Sequence, residues 1–360
     1  MRIHNFSAGT AVLPDFVYNK TADANRDYNK TGLSLLETSH RSVVFADILT
    51  EAEALLRELK SIPQEYTVLF LADGASQHFA QIPLNLLNND TEASYLDSGV
   101  WASKAINEAR LDGKVNVVAS GKDDEYRSIP TDFYIPEDNT HFHYTSNNTI
   151  NGTTLLVVPK TSVPVICDMS TDILSSEIDV TKFGMIYASE QKNAGVAGVS
   201  IIIIRNDILD KVNRNIPNIS NYAIPADNKP LYITSQVFAI YATSLNLKWL
   251  KSQGGVPAIE KRNIEKSGLL YKEIDRNSLF TGRVSNISQR SRMNVTFLPN
   301  NPEHEQEFLD FAAERKVVVI KQYADYGGFR ASLYNALPIE SAKTLIAVMQ
   351  EYENHKKLNA

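Results

Sequence analysis

Residues 185–204 read Met-Ile-Tyr-Ala-Ser-Glu-Gln-Lys-Asn-Ala-Gly-Val-Ala-Gly-Val-Ser-Ile-Ile-Ile-Ile. Two apolar runs, 185–188 and 199–204, flank a polar turn that contains Ser189, Glu190, Gln191, Lys192 and Asn193. Runs this continuously apolar suit strands covered on both faces of a sheet. Gly195 and Gly198 allow the connecting loop to pass close to a neighbour. Lys192 therefore sits between two buried strands. Desolvation disfavours its ammonium form and leaves a nucleophilic amine able to form an imine with an aldehyde. A lysine on an ordinary surface hairpin is the competing reading of this stretch alone.

A second stretch shifts the balance. Residues 163–167, Val-Pro-Val-Ile-Cys, form another buried-strand run, and it ends in Asp168. A carboxylate at the end of a strand, followed in the chain by a desolvated lysine, is what a pyridoxal phosphate enzyme needs. The carboxylate keeps the pyridine nitrogen protonated; the lysine holds the aldehyde and later moves a proton at the substrate's α-carbon.

The segments Asp168-Met-Ser-Thr-Asp172 and Tyr187-Ala-Ser-Glu-Gln-Lys192-Asn-Ala-Gly195 resemble the cofactor core of the phosphoserine aminotransferases, class-V members of the aspartate-aminotransferase-like fold. The resemblance runs from Asn5 to beyond Tyr352. It implies an α/β chain with a large domain on a mainly parallel, seven-stranded-type sheet and a smaller α/β C-terminal domain. It implies pyridoxal 5'-phosphate as cofactor and small amino-acid and 2-oxo-acid substrates. It also implies a cytoplasmic homodimer with a shared active site. The implied reaction passes an amino group between glutamate and 3-phosphohydroxypyruvate, giving O-phosphoserine and 2-oxoglutarate. That is a step of serine biosynthesis, with pyridoxine biosynthesis as a further candidate pathway.

Composition agrees with this class. The chain has 360 residues, 43% hydrophobic and 22% charged, which is ample for a large core and a smaller second unit. A net charge of -6 argues against nucleic acid as the main partner. The single cysteine, Cys167, excludes an intramolecular disulfide and fits a reducing cytoplasm. The first residues lack the apolar core of a signal peptide. The longest apolar runs, near Ile201 and Val317, are too short to span a bilayer. No membrane or metal association is expected.

Along the chain, residues 1–14 read as an arm whose Phe6, Val12 and Leu13 need burial; the resemblance places Ala8 near the substrate carboxylate. A helix is expected over 45–60, with Ile48, Ala52, Leu55, Leu56 and Leu59 on one face. Residues 67–71 read as a strand. The turn Asp73-Gly-Ala-Ser76 and a helix from Gln77 follow, an arrangement that offers backbone N–H groups to a phosphate. By the resemblance Ala75, Ser76 and Gln191 hold the cofactor phosphate, Trp101 stacks on the ring and Thr149 bonds the side of the ring that carries its hydroxyl. Thr234 reaches the phosphate of a neighbouring subunit, while His40, Arg41 and Arg330 take substrate carboxylates. Arginine suits that role because its planar fork binds a carboxylate bidentately. Alternating strands and helices from 67 to 206 predict a parallel, right-handed wound sheet. A helix over 236–250 leads to Gly254-Gly-Val-Pro257, read as the break between a large domain, 15–255, and a small one, 256–360. The small domain is expected to hold a helix over 258–275, strands near 293–297 and 317–320, a helix starting near Asn301, and a last helix after Pro338.

Several positions depart from the family pattern. Thr10 stands where proline is usual, Ser76 where some members carry arginine, and Ile233 where the family has asparagine beside Thr234. Tyr323 and Ala324 stand where members commonly carry a His-Arg pair that contacts the substrate phosphate. These changes keep a second reading open, an aminotransferase of the same family for another 2-oxo acid, and predict weaker discrimination for phosphate. A cysteine desulfurase or lyase needs a mobile thiol, and Cys167 lies in a strand. A cofactor-free scaffold has no use for the Lys192 and Asp168 pairing. Arg290 and Arg292 are read as structural.

Overall fold

The computed structural model describes residues 3–209, 211–212, 214–228, 234–323 and 325–358, so Ile233 and Ala324 lie outside the described residues. The chain opens with β1 (His4–Asn5), α1 (Asp15–Arg26) and α2 (Val43–Lys60). Ser42 caps α2 by accepting a hydrogen bond from the Phe45 N–H at 3.2 Å, and Phe45, Ile48, Ala52 and Leu56 form its buried stripe. Then β2 (Tyr66–Leu71), α3 (Ala75–Leu86), β3 (Glu92–Asp97), α4 (Val100–Ala109) and β4 (Lys114–Ser120) alternate. The alternation expected as far as residue 206 stops there. Among the described residues no α-helix separates β5 (Phe142–Thr145), β6 (Val165–Asp168), β7 (Met185–Ser189) and β8 (Ser200–Arg205).

These strands make one seven-stranded sheet in the order β2-β8-β7-β6-β5-β3-β4. All its pairings are parallel except those of β8, which is antiparallel to both β7 and β2. Each face carries a core. Ile201 and Ile203 pack with Ile186, Leu56 and Ile240 on one side; Ile202 and Ile204 pack with Tyr187, Ile82 and Ile106 on the other. The period-2 alternation of a strand thus sends successive isoleucines to opposite cores, which is why β8 is apolar without interruption. Full burial of each such side chain stabilises the fold by about 1.5–3 kcal/mol.

Next come α5 (Ala223–Asn228), α6 (Val237–Ser252) and α7 (Gly255–Arg276). The last was expected to begin near residue 258. It begins three residues earlier because Pro257 falls in the first turn, where its missing N–H costs nothing. Val256 and Ile259 join the core around the large sheet, and Leu270 and Ile274 join a second core. The expected break therefore coincides with the start of a helix that enters both cores.

That second core surrounds β9 (Phe280–Gly282), β10 (Asn294–Pro299), α8 (His304–Glu314), β11 (Val317–Val318), β12 (Phe329–Ser332) and α9 (Ile339–Leu358). β10 is the middle strand of an antiparallel sheet, between β12 and β9. β11 stops two residues earlier than expected, at Val319, whose φ of 60° is left-handed and ends the strand. β1 pairs parallel with β11, and Phe6 of the arm is fully buried among Phe280, Phe297, Phe308 and Phe329. Val12 also packs against the second core, while Leu13 is buried with Val17, Ala242 and Leu245.

Candidate active site

β2, β3, β5, β6 and β7 all run in one direction, so their C-terminal ends share one edge of the sheet, where doubly wound folds bind ligands. Asp168 is the last residue of β6, and its register partners are Thr145 of β5 and Tyr187 of β7. Trp101 opens α4 beyond β3; Thr149 follows β5, and Lys192 follows β7. A cavity of about 410 Å³ opens at this edge. Of the sequence-predicted site residues, Ala8, Ala75, Ser76, Trp101, Thr149, Asp168, Gln191, Lys192 and Arg330 line it.

The loop that carries Lys192 is fixed from several sides. The Asn246 side chain donates to the carbonyls of Asn193 at 2.9 Å and Ala194 at 2.8 Å. The Asn193 Oδ1 accepts the Asn335 N–H at 2.9 Å, and the Gln191 carbonyl accepts the Ala11 N–H at 2.8 Å. Gly195 is required here, since a Cβ would collide with Thr243 Oγ1 of α6. Lys192 Nζ lies 3.2 Å from Thr171 Oγ1, 3.3 Å from Thr149 Oγ1 and 5.7 Å from the centroid of the Trp101 ring. Burial pushes its ammonium down from the ordinary lysine range; the Asp168 carboxylate opposes that shift and the Arg330 guanidinium adds to it.

Asp168 is 5% exposed, and its Oδ1 accepts from the Ser170 N–H at 2.9 Å and the Ser170 hydroxyl at 2.6 Å. Arg330, on β12, donates from Nη1 to the Thr149 carbonyl at 3.3 Å, and its guanidinium lies 5.0 Å from the centroid of the Tyr323 ring. Tyr334 donates its hydroxyl to the Ala8 carbonyl at 2.7 Å, which fixes the arm at the cavity wall.

α3 begins at Ala75, two residues before the expected Gln77, because Gly74 is the extended cap and Ala75 and Ser76 already turn helically. No side chain caps this end, so its first N–H groups and the Ser76 hydroxyl face the cavity without a capping competitor. A buried network lies beneath it: Ser200 bonds Asp73, and His78 bonds Ser200 Oγ at 2.6 Å and the Tyr222 hydroxyl at 2.8 Å.

The donor set fits pyridoxal phosphate. A desolvated amine can take an aldehyde, a buried carboxylate a protonated ring nitrogen, an uncapped helix terminus a phosphate, and an indole a ring face. Two buried lining groups, Trp101 Nε1 and Thr145 Oγ1, have no hydrogen-bond partner among the described residues, which suits a pocket made to hold a polar ring.

Thr234, His40 and Arg41 do not line the cavity of their own chain. Thr234 is exposed just before α6; His40 and Arg41 form the turn before α2. Arg290 pairs with Asp275 through both guanidinium nitrogens, and Arg292 pairs with Glu260, in keeping with the structural reading of both. Sequence reasoning assigned no role to Thr145, Ser170, Thr171 or Lys321, all of which line the cavity. Ser170 and Thr171 had a signal: hydroxyls two and three residues after a strand-ending aspartate can turn back on it.

A family model described as Aminotransferase class-V matches residues 3–344, so fold and site define a class-V aminotransferase. The chain is 47% identical to the phosphoserine aminotransferase of Flavobacterium psychrophilum, over 98% of this chain and 99% of that one. It is 48% identical to that of Bacteroides thetaiotaomicron over the same shares. Among solved structures, the phosphoserine aminotransferase of Bacillus circulans subsp. alkalophilus superposes with a TM-score of 0.96 at 38% identity, covering 99% of each chain. A pyridoxal-phosphate-bound phosphoserine aminotransferase from Trichomonas vaginalis gives 0.91 at 34% identity, covering 97% of this chain and all of that one. The chain belongs to the phosphoserine aminotransferase family.

Proposed function

We propose that this chain, with pyridoxal 5'-phosphate, transfers the amino group of glutamate to 3-phosphohydroxypyruvate, yielding O-phosphoserine and 2-oxoglutarate. The observation that carries this reading is the desolvated Lys192 amine facing a cavity whose other walls are Asp168, Trp101, Arg330 and the uncapped start of α3. The identity to phosphoserine aminotransferases over nearly the whole chain supports the substrate.

When bound, the cofactor supplies an aldehyde that accepts the amino group and a protonated ring that withdraws electrons from the adjoining carbon. Lys192 would hold it through its amine and would move a proton at the substrate's α-carbon. Thr149 and Thr171 orient Nζ for both tasks. Asp168, held by Ser170, keeps the ring nitrogen's proton in place. Ala75, Ser76 and Gln191 bind the phosphate, and Trp101 covers one ring face and excludes water. Arg330 binds the α-carboxylate.

The reading includes a homodimer in which His40, Arg41 and Thr234 serve the neighbour's cavity. Leu36 (67% exposed) and Val43 (77% exposed) flank the His40–Arg41 turn, and such exposed apolar side chains favour being covered. A cytoplasmic setting is supported by the single, fully buried Cys167 thiol. No helix among the described residues is long and apolar enough to cross a membrane.

The test is single-turnover reaction of the yellow holoenzyme with phosphoserine, glutamate, serine and alanine, followed by the loss of cofactor absorbance. Phosphoserine and glutamate are expected to react fastest. No reaction with phosphoserine, alongside turnover of another amino acid, would overturn the assignment in favour of a different 2-oxo acid.

A further inference from the structure

One residue before the cap of α3, where the cofactor phosphate is read to bind, stands an aspartate. Asp73 is two residues from Ala75 and three from Ser76, the spacings at which an aspartate side chain turns onto backbone N–H groups and caps a helix. The positive end of a helix favours such a carboxylate. Asp73 does not take that place: neither the Ala75 N–H nor the Ser76 N–H has a hydrogen-bond acceptor among the described residues. We propose that Ser200 and His78 hold the Asp73 carboxylate off the start of α3 and so keep its first N–H groups for the cofactor phosphate. This rests on the pyridoxal phosphate reading above and adds two positioning residues that lie outside the cavity lining.

The Asp73 side chain is 6% exposed. A carboxylate so buried is unfavourable unless hydrogen-bonded, so it is drawn to the nearest donors. As a carboxylate it only accepts, so the Ser200 hydroxyl donates to its Oδ1. Ser200 Oγ in turn accepts from His78 Nε2 at 2.6 Å, which leaves His78 Nδ1 to accept the Tyr222 hydroxyl at 2.8 Å. The polar hydrogens of the chain Tyr222, His78, Ser200 thus all point toward Asp73. His78 Nε2 also lies 3.3 Å from Asp73 Oδ1, a second donor if the hydroxyl is lost.

The chain of bonds stands on rigid elements. Ser200 opens β8 and is paired with Leu71 of β2 and with Ser189 of β7. His78 lies one turn into α3 with its ring edge-on to Tyr187, and the Tyr222 N–H donates to Asn85 Oδ1 of the same helix at 3.0 Å. Ser200, His78 and Tyr222 are each at most 1% exposed, so packing fixes them and the carboxylate is held with them. Released, that carboxylate would reach the Ala75 and Ser76 N–H groups. It would take donors from the phosphate and set a like charge beside it. Pyridoxal, which has the ring and the aldehyde but no phosphate, would be indifferent to the change.

The experiment titrates the full-length protein, freed of its cofactor, with pyridoxal phosphate and with pyridoxal, and follows binding by absorbance. Both bring the aldehyde to Lys192, so the ratio of the two affinities isolates the phosphate. Ser200→Ala combined with His78→Leu is expected to lower that ratio ~10- to 100-fold. Each substitution alone should lower it less, since the other residue still reaches Asp73. Adding Asp73→Ala to the pair should return the ratio to the parental value, a rescue that a merely structural role of Ser200 and His78 would not give. Asp73→Ala alone, which alters no fully buried residue, should keep the ratio at or above the parental value. A parental ratio in the double variant, no recovery on adding Asp73→Ala, or a comparable loss with Asp73→Ala alone overturns the proposal; the last would make the carboxylate an anchor of the turn. A parent that binds pyridoxal as tightly as pyridoxal phosphate instead fails the reading of α3 as the phosphate site, and the proposal falls with it.

Discussion

The Ser170 hydroxyl donates to Asp168 Oδ1 at 2.6 Å and accepts the Ser189 N–H at 3.1 Å, so one small side chain ties the carboxylate at the end of β6 to the end of β7, three residues before Lys192. The two groups that act on opposite ends of the cofactor are thereby held in one frame. Ser170→Ala should leave the fold intact, because the Ser170 N–H still reaches Asp168 at 2.9 Å. It removes the hydroxyl's bond to the carboxylate, an interaction contributing about 1.5–3 kcal/mol, and takes the acceptor from the Ser189 N–H. Steady-state kinetics should show kcat lowered about tenfold or more, and equilibrium dialysis should show weaker cofactor retention. Parental values of both would mean that the Asp168 orientation does not depend on this hydroxyl.

Lys192 should react as an amine of lowered pKa. Burial favours its neutral form, which is the form that attacks an aldehyde. In the apoenzyme, the rate of cofactor uptake should rise with pH and level off below the value of about 10.4 for free lysine. Borohydride reduction of the yellow enzyme followed by peptide mapping should place the label on Lys192, and Lys192→Ala should carry none. A rate still climbing at pH 10, or a label on another residue, contradicts the desolvated-lysine argument.

Glu190 predicts a stability effect at the same loop. Its carboxyl is fully buried beside the Thr243 hydroxyl, and burial pushes it up to about 8. Its folded value lies above its unfolded one, so its contribution to stability is present below about 4.5 and lost as pH rises through about 8. Glu190→Gln keeps the shape and cannot ionise. The melting temperature of the variant relative to the parent should therefore be higher at pH 9 than at pH 5, by roughly 2 °C or more. An equal difference at both pH values would show that burial does not raise this carboxyl above its unfolded value.

The sheet, and the places of Asp168 and Lys192 beside its buried strands, were legible from the sequence because strand burial leaves a dense apolar signature; Ala75, Ser76, Trp101, Thr149 and Gln191 were singled out by the resemblance. Residues 185–188 and 199–204 are β7 and β8 nearly as read, and Asp168 is the strand end it was expected to be. The run from β5 to β7 was misread as alternating with helices, since the loops between those strands have turn-rich sequences that carry no helical period of their own. β12 escaped notice although it carries Arg330, because its four residues are too few for an alternation to stand out. Lys321 escaped because an exposed lysine after a short strand looks like any solvated charge; only the hairpin geometry brings it to the cavity beside Arg330.

His40 and Arg41 supply the final prediction. They do not line the cavity of their own chain, and Leu36 and Val43 beside their turn are exposed, open to a partner surface. If that partner is a second copy, each active site combines Lys192 of one chain with Arg41 of the other. Arg41→Ala and Lys192→Ala homodimers should then both be nearly inactive, the first through a raised KM and the second through kcat. After unfolding and refolding together at equal amounts, half the dimers are mixed, and each mixed dimer contains one intact site and one doubly defective site. Activity should recover to about a quarter of the parental value, as two-fold symmetry with a shared site requires. Sedimentation should show dimers throughout, and Leu36→Glu with Val43→Glu should shift them toward monomer with loss of turnover. Refolded mixtures no more active than the separate variants would mean that Arg41 does not reach across an interface and acts, if at all, within its own chain.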